Sequence, residues 1–238
     1  MRTESEIRRQ ARLIKQFLSE HPKYFTKYET MDIRSRLKDD VSDSFIPDTM
    51  RELLSYFDLL KEDEDIYQGF INLLKENFDI NQNIIEVGGG VLPELAKKLS
   101  KQQQVGNITV YDPRLGTTET TIPNLSLIQE KFTLNTDVSN CGLIIAFMPC
   151  DGTSTVIEKA TESNTDFMIA MCEGGPHGDY FDFYESDEEW IHATLCYANN
   201  RVENNSMGKL QKTFLKKYHD PYPVIWNKRN WQKQAFMV

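Results

Sequence analysis

The sequence predicts an α/β fold: a doubly wound, mostly parallel sheet that carries an N-terminal helical extension. From residue 82 onward, short apolar runs alternate with amphipathic stretches. The runs are apolar along nearly their whole length, which is typical of parallel strands covered on both faces. Residues 1–80, by contrast, contain apolar residues at helical spacing and hardly any strand signal. We therefore predict a helical cap over 1–80 and the sheet domain over 81–238.

The helical extension is indicated by two sets of apolar residues with a period near 3.6. One set covers residues 7–18 and stops at His21-Pro22, where the proline breaks the helix. The other follows Pro47 and covers residues 50–78. Such helices must bury an apolar face, and we expect them to pack on the sheet domain rather than on a partner protein.

The sheet elements follow in order along the chain. Strands are predicted at residues 84–87, 108–111, 125–128, 143–148 and 167–172, and helices at 92–101, 153–162 and 187–198. The last helix has Ser186 and Glu189 at the spacing of a capping box. In the tail, Met207, Leu210, Phe214 and Tyr218 have helical spacing, and residues 223–226 are predicted as a final strand.

Composition and charge narrow the class of protein. The net charge is −9, which argues against attraction of nucleic acid over the whole surface. The charge is unevenly distributed: residues 173–189 are acidic without Lys or Arg, and residues 209–233 are strongly basic.

The N-terminus lacks the apolar core of a signal peptide and the chain has no membrane-length apolar stretch, so we expect a cytoplasmic protein without a membrane partner. The irregular spacing of the four cysteines predicts reduced thiols and no zinc site.

A glycine triplet indicates a cofactor site. In IIEVGGGVLPELAKKL, Gly88, Gly89 and Gly90 follow a predicted buried strand and precede a predicted helix near Leu92, with Pro93 in its first turn. Glycine permits positive φ and lets a ligand press against the main chain. Asp112 closes the second predicted strand, where a carboxylate can accept hydrogen bonds from a ribose diol.

Two cofactor classes use such an arrangement. A dinucleotide needs G-x-G-x-x-G, and here Pro93 stands at the third glycine position. S-adenosylmethionine has no pyrophosphate, and its cationic amino acid portion is compatible with an acid at Glu86 that would repel a diphosphate. We therefore expect S-adenosylmethionine as the cofactor.

The pattern E-x-G-x-G at Glu86, Gly88 and Gly90, with an acid at Asp112, resembles the Rossmann-like, class I S-adenosylmethionine-dependent methyltransferases over roughly residues 82–238. The resemblance implies that Glu86, the glycine triplet and Asp112 bind the cofactor, together with Met148 and Pro149 after the fourth strand. The sequence departs from the family pattern in three places. Leu92 replaces the usual third small residue, the connection LGTTETTIPN is too short for the normal crossover helix, and Glu130 and Lys131 occupy the region that often holds an adenine-binding acid.

The end of the fourth strand carries the candidate chemistry. The segment resembles an RNA-methyltransferase-like branch with H-x-C-[GD]-x-x-T: Cys150 and Asp151 match, while Met148 replaces the His and Ser154 the Thr. Asp151 is the preferred catalytic residue, because an acid that orients or deprotonates the acceptor suffices for an in-line methyl transfer. It is also a candidate N-cap for the following helix.

Cysteine chemistry is the alternative at this strand end. Pro149-Cys150 resembles the Pro-Cys of RNA cytosine-C5 methyltransferases, and Cys172 follows the next strand, so either thiol is a candidate for covalent catalysis. Small buried cysteines more often serve packing.

His177 and Asp179 fall in the acidic segment. Two ligands do not define a metal site, so no metal site is predicted.

Three hypotheses for function remain open. The first is a methyltransferase acting on RNA, which the basic C-terminal segment would contact through its lysines and aromatic side chains. The second is a methyltransferase for a small-molecule acceptor, with the helical N-terminus as a lid. The third is a non-catalytic cofactor-binding or scaffold protein that keeps the fold.

Overall fold

The computed structural model describes residues 66–150, 152–172, 187–215 and 222–228. Its helices are α1 (Ile66–Asn77), α2 (Glu94–Ser100), α3 (Gly152–Glu162) and α4 (Asp187–Asn204). Its strands are β1 (Ile84–Val87), β2 (Ile108–Tyr111), β3 (Leu125–Ile128), β4 (Leu143–Phe147), β5 (Asp166–Ala170), β6 (Gln211–Leu215) and β7 (Tyr222–Asn227). Within these residues, one sheet has the strand order β3-β2-β1-β4-β5-β7-β6.

The first five strands are parallel, as the sequence predicts. β1 pairs with β2 on one side and β4 on the other, and β3 and β5 extend the parallel sheet outward. β7 is antiparallel to both β5 and β6 and lies between them. The five parallel strands therefore end at one edge of the sheet, which we call the carboxyl edge.

Helices cover the two faces of the sheet, so the fold is doubly wound. Ile84 of β1 belongs to the same buried cluster as the apolar side chains of α1 and α2. Its neighbour Ile85 belongs to a second cluster that contains the buried side chains of α3 and α4. Alternating side chains of one strand thus face different helices, which explains why the strands are apolar throughout.

Helix α1 packs across the sheet and begins at the carboxyl edge. The rings of Tyr67 and Phe70 lie 4.8 Å and 5.5 Å from the ring of Phe147, the last residue of β4. Phe70, Ile71 and Leu74 are fully buried. The predicted helical signal up to Phe78 is therefore confirmed for α1, and the rest of the predicted cap, residues 1–65, lies outside the described residues.

Some predicted boundaries change. α2 begins at Glu94 rather than near Leu92, so Pro93 is the N-cap residue and not part of the first turn. β4 and β5 each end before the predicted residue, and α4 extends to Asn204. The helical spacing from Met207 onward is misleading, because residues 211–215 form β6. The predicted final strand is confirmed as β7.

The connections on either side of β3 contain no helix. Residues 112–124 and 129–142 are described throughout and form turns and extended chain. The predicted shortness of the β2–β3 connection is therefore confirmed, and loop side chains such as Leu115, Phe132 and Val138 are buried there. None of the described helices is both long and apolar enough to span a bilayer.

Candidate functional site

The candidate site lies where the sheet changes its winding direction, between β1 and β4. The chain leaves β1 toward β2 on one side and returns from β3 to β4 on the other. Loops at the carboxyl edge diverge at such a point and leave a crevice in which α/β proteins bind ligands. The glycine turn after β1 and the Met148-Pro149-Cys150 turn after β4 border this crevice. They touch each other, since a Cβ built on Gly88 would lie 3.1 Å from Cα of Pro149.

Each glycine of the triplet has its own structural reason. Gly88 and Gly90 have positive φ angles of 83° and 70°, a conformation that side chains disfavour. Gly89 packs on β2, because its Cβ would lie 2.5 Å from Cγ1 of Val110. A Cβ on Gly90 would meet nothing within 4 Å. The turn is therefore packed at its first two residues and open at the third, where a ligand can reach the main chain.

Asp112 is buried directly behind the open end of the turn. Its Oδ2 accepts the N–H of Gly90 at 2.8 Å, and its Oδ1 accepts the N–H of Arg114 at 2.7 Å. The guanidinium Nε of Arg114 lies 3.5 Å from Oδ1, although that side chain is 69% exposed. The carboxylate thus fixes the turn and keeps further lone pairs for a ligand, because each oxygen can accept two hydrogen bonds.

Glu86 is the most deeply enclosed acid of the site, at 2% exposure. Burial raises the pKa of Glu86 from its ordinary value of 4.5 to about 8. The backbone N–H of Ala96 opposes this rise by hydrogen-bonding to the carboxyl group, and the negative charge of Asp112 adds to it. The neutral form of Glu86 is therefore favoured at pH 7. The expected repulsion of a diphosphate by an ionised Glu86 does not hold under these conditions.

The turn after β4 has unusual backbone geometry on both sides of its proline. Met148 and Cys150 have φ angles of 52° and 48°, uncommon for residues with side chains. The N–H of Met148 still donates to the carbonyl oxygen of Ala170 at 2.8 Å, which prolongs the pairing with β5. Sγ of Cys150 lies 3.6 Å from the carbonyl oxygen of Met148. Non-glycine residues in this conformation cluster at functional sites.

The structure brings most of the predicted cofactor residues together at the crevice. Glu86, the glycine triplet and Asp112 are joined by hydrogen bonds and packing on one side, and Pro149 contacts Gly88 from the other. Asp151 lies outside the described residues, as do His177 and Asp179. Cys172 is buried just beyond β5. Among the described residues, no group of three or more His, Cys, Asp or Glu side chains is arranged to hold a metal ion.

Two contributors were not predicted from the sequence. The N–H of Arg114 binds the carboxylate two residues before it, and the Asp-Pro pair at 112–113 is a turn signal that could have indicated this. The amide of Ala96 reaches Glu86 from α2, a contact between distant residues for which the sequence carries no local signal.

Comparisons with known proteins identify the fold. No family model matches the chain, and a search of curated proteins finds no relative. The structure of magnesium protoporphyrin IX methyltransferase from Synechocystis with bound S-adenosylmethionine is similar at a TM-score of 0.50 and 8% identity, covering 93% of this chain and 97% of that one. Precorrin-6y C5,15-methyltransferase from Geobacter metallireducens has a TM-score of 0.47 at 12% identity, with 68% and 88% coverage. Fibrillarin from Aeropyrum pernix has a TM-score of 0.46 at 12% identity, with 68% and 76% coverage.

The chain thus has the Rossmann-like fold of class I S-adenosylmethionine-dependent methyltransferases, as its sequence resemblance implies. At this level of identity, the comparison concerns the fold.

Proposed function

We propose that the chain binds S-adenosylmethionine in the crevice between β1 and β4 and transfers its methyl group to an acceptor. The observation that carries the proposal is the open backbone at Gly90, which has positive φ, free space where a Cβ would be, and an N–H fixed by Asp112. A nucleoside can lie against this main chain, with its ribose diol donating to Asp112.

The start of α2 favours this cofactor over a dinucleotide. A pyrophosphate needs amide donors at a helix N-terminus. Here Pro93 has no N–H, and the N–H of Glu94 already donates to the carbonyl oxygen of Leu92 at 2.9 Å. These features disfavour a diphosphate without relying on the charge of Glu86.

The remaining roles are assigned to the turn after β4. Met148 and Pro149 would form the floor beneath the sulfonium and the acceptor. Asp151 would orient the acceptor or remove its proton, since methyl transfer depends mainly on alignment of the reacting atoms. Cys150 is the alternative catalytic residue, through a covalent intermediate.

Thermal-shift and calorimetric titrations test the cofactor. S-adenosylmethionine and S-adenosylhomocysteine should each raise the unfolding temperature, because a ligand that binds only the folded chain stabilises it. NAD should have no effect. Stabilisation by NAD alone, or by none of the three, would refute the cofactor assignment.

RNA is the acceptor that we propose. β6 carries exposed Lys212, with Lys209 just before it, and Phe214 is 57% exposed on the same strand. Exposed lysines beside an exposed aromatic ring are suited to phosphates and unstacked bases.

Transfer of a labelled methyl group tests the acceptor. The label should enter RNA from cell extract, and Asp151→Asn should abolish transfer while cofactor binding is kept. Cys150→Ser should retain activity unless the covalent route operates. Label in a metabolite fraction instead of RNA would indicate a small-molecule acceptor. Cofactor binding without any transfer would favour a scaffold.

A further inference from the structure

One carboxyl oxygen in the cofactor site has no hydrogen-bond partner. Among the described residues, Oε2 of Glu86 is buried and contacts no donor, whereas the backbone N–H of Ala96 already serves the carboxyl group. Oε1 lies 3.6 Å from the position that a Cβ on Gly89 would occupy, so the carboxyl group sits directly under the glycine turn. Burying a polar atom without a hydrogen-bond partner costs free energy. A ligand that donates a hydrogen bond to this oxygen removes that cost and therefore binds more tightly.

Within the part of the chain that the structure describes, no positive charge is among the causes that shift the pKa of Glu86. In the sheet it pairs with Val110 of β2 and Ile145 of β4, neither of which titrates. Beyond the end of β2, Asp112 contributes a like charge. The titratable side chains of the overlying helix α2 are Glu94, Lys97 and Lys98. The group of α2 that affects the pKa of Glu86 is the backbone N–H of Ala96, which lowers it.

The two acids of the site therefore differ in kind. Asp112 accepts an N–H on each oxygen and has the guanidinium of Arg114 beside it. Glu86 has one such N–H and a buried oxygen without a hydrogen-bond partner. A positively charged ligand at Glu86 therefore meets a buried carboxyl group that lacks a second hydrogen bond.

Building on the proposed function, we propose that Glu86 is a neutral carboxyl group before the cofactor binds and that binding of a cationic cofactor releases its proton. The carboxyl O–H bond breaks, the proton goes to the buffer, and the carboxylate left behind balances the cationic group of the ligand. No other bond changes. S-adenosylmethionine offers two such groups, the sulfonium and the ammonium, and the site exchanges a proton for one of them.

The elevated pKa of Glu86, about 8, fixes the pH range of this exchange. Below pH 7 nearly every cofactor-free molecule carries the proton on Glu86, so each cofactor that binds releases close to one proton. By linkage, affinity for the cofactor then rises about tenfold between pH 6 and pH 7. A site whose acid is already ionised shows no such rise in this range.

Calorimetry on the full chain tests the inference. Titrations with S-adenosylmethionine at pH 6.5, in two buffers with different ionisation enthalpies, give the number of protons released. We expect about one, and Glu86→Gln should bind the cofactor with about none. The matched control is Glu94→Gln, a second buried acid near the turn, which should still release the proton.

Three ligands on the wild-type chain make the test independent of any variant's folding. Methylthioadenosine has neither ammonium nor sulfonium and should release no proton. Release by S-adenosylhomocysteine as well as S-adenosylmethionine assigns the effect to the ammonium, and release by the latter alone assigns it to the sulfonium.

The outcomes separate this inference from the proposed function. Tight binding of S-adenosylmethionine without proton release overturns the inference and leaves the cofactor assignment intact. Equal release by methylthioadenosine, or loss of release in Glu94→Gln but not in Glu86→Gln, also overturns it. No binding of any of the three ligands refutes the proposed function, and this inference with it.

Discussion

Replacing Glu86 by glutamine should stabilise the protein at neutral pH. Glutamine keeps the shape and the acceptor oxygen for the amide of Ala96 but cannot ionise. In the unfolded chain Glu86 loses its proton near pH 4.5, whereas in the folded chain its pKa is about 8. Above pH 4.5 the unfolded state therefore binds fewer protons, so stability falls as pH rises and levels off only above pH 8.

The size of the effect follows from these two values. At pH 7 the wild-type chain carries a penalty of about 3 kcal/mol, and at pH 5 about 1 kcal/mol, at 1.36 kcal/mol per pKa unit. Glu86→Gln removes this penalty. Its free energy of unfolding should exceed that of the wild type by about 2–3 kcal/mol more at pH 7 than at pH 5.

Urea denaturation at both pH values measures this difference. Glu119→Gln, which changes an exposed carboxyl group on the β2–β3 connection, controls for the general effect of losing an acid. If the gap between Glu86→Gln and the wild type stays the same at pH 5 and pH 7, Glu86 is ionised in the folded state. The reasoning about its burial would then be wrong.

Three further predictions concern the same edge of the sheet. Asp112→Ala should weaken S-adenosylmethionine binding about tenfold to a hundredfold by calorimetry, through loss of charge-assisted hydrogen bonds of roughly 1.5–3 kcal/mol; Asp112→Asn should weaken it less, and unchanged affinity in both would contradict the ribose role. Gly88→Ala should lower the unfolding temperature more than Gly90→Ala, because its Cβ meets Pro149 whereas the Cβ at Gly90 enters open space; the reverse order would contradict the described turn. Phe147→Ala should cost about 3–5 kcal/mol in denaturation experiments, since the ring packs against α1, and a loss below about 1 kcal/mol would contradict that packing.

The strands that the sequence predicts well are those buried on both faces. β1 and β4 are apolar at nearly every position, so their runs are visible without knowledge of their neighbours. β6 is different, because in Gln211–Leu215 only Leu215 is buried. The strand exists through its antiparallel pairing with β7, and this pairing overrides the helical spacing of Met207 and Phe214.

The candidate site shows the same division. The glycine triplet and Asp112 are predictable, because a turn between a strand and a helix and an acid at a strand end leave local marks in the sequence. The charge state of Glu86 is not, since it depends on enclosure by Val110, Ile145 and the amide of Ala96. Sequence patterns identify the residue type at a site, but folding determines the protonation of that residue.

The helix-free connections around β3 have a consequence for local stability. β3 pairs with β2 alone, and α2, which packs against it, is a helix of only seven residues. Few buried contacts must break to detach it, so its amides should exchange with deuterium well before those of β4, through local opening rather than global unfolding. Asp112 stands at the start of one of these loops. A ligand held by Asp112 should therefore slow deuterium uptake in β3 although it touches no residue of that strand.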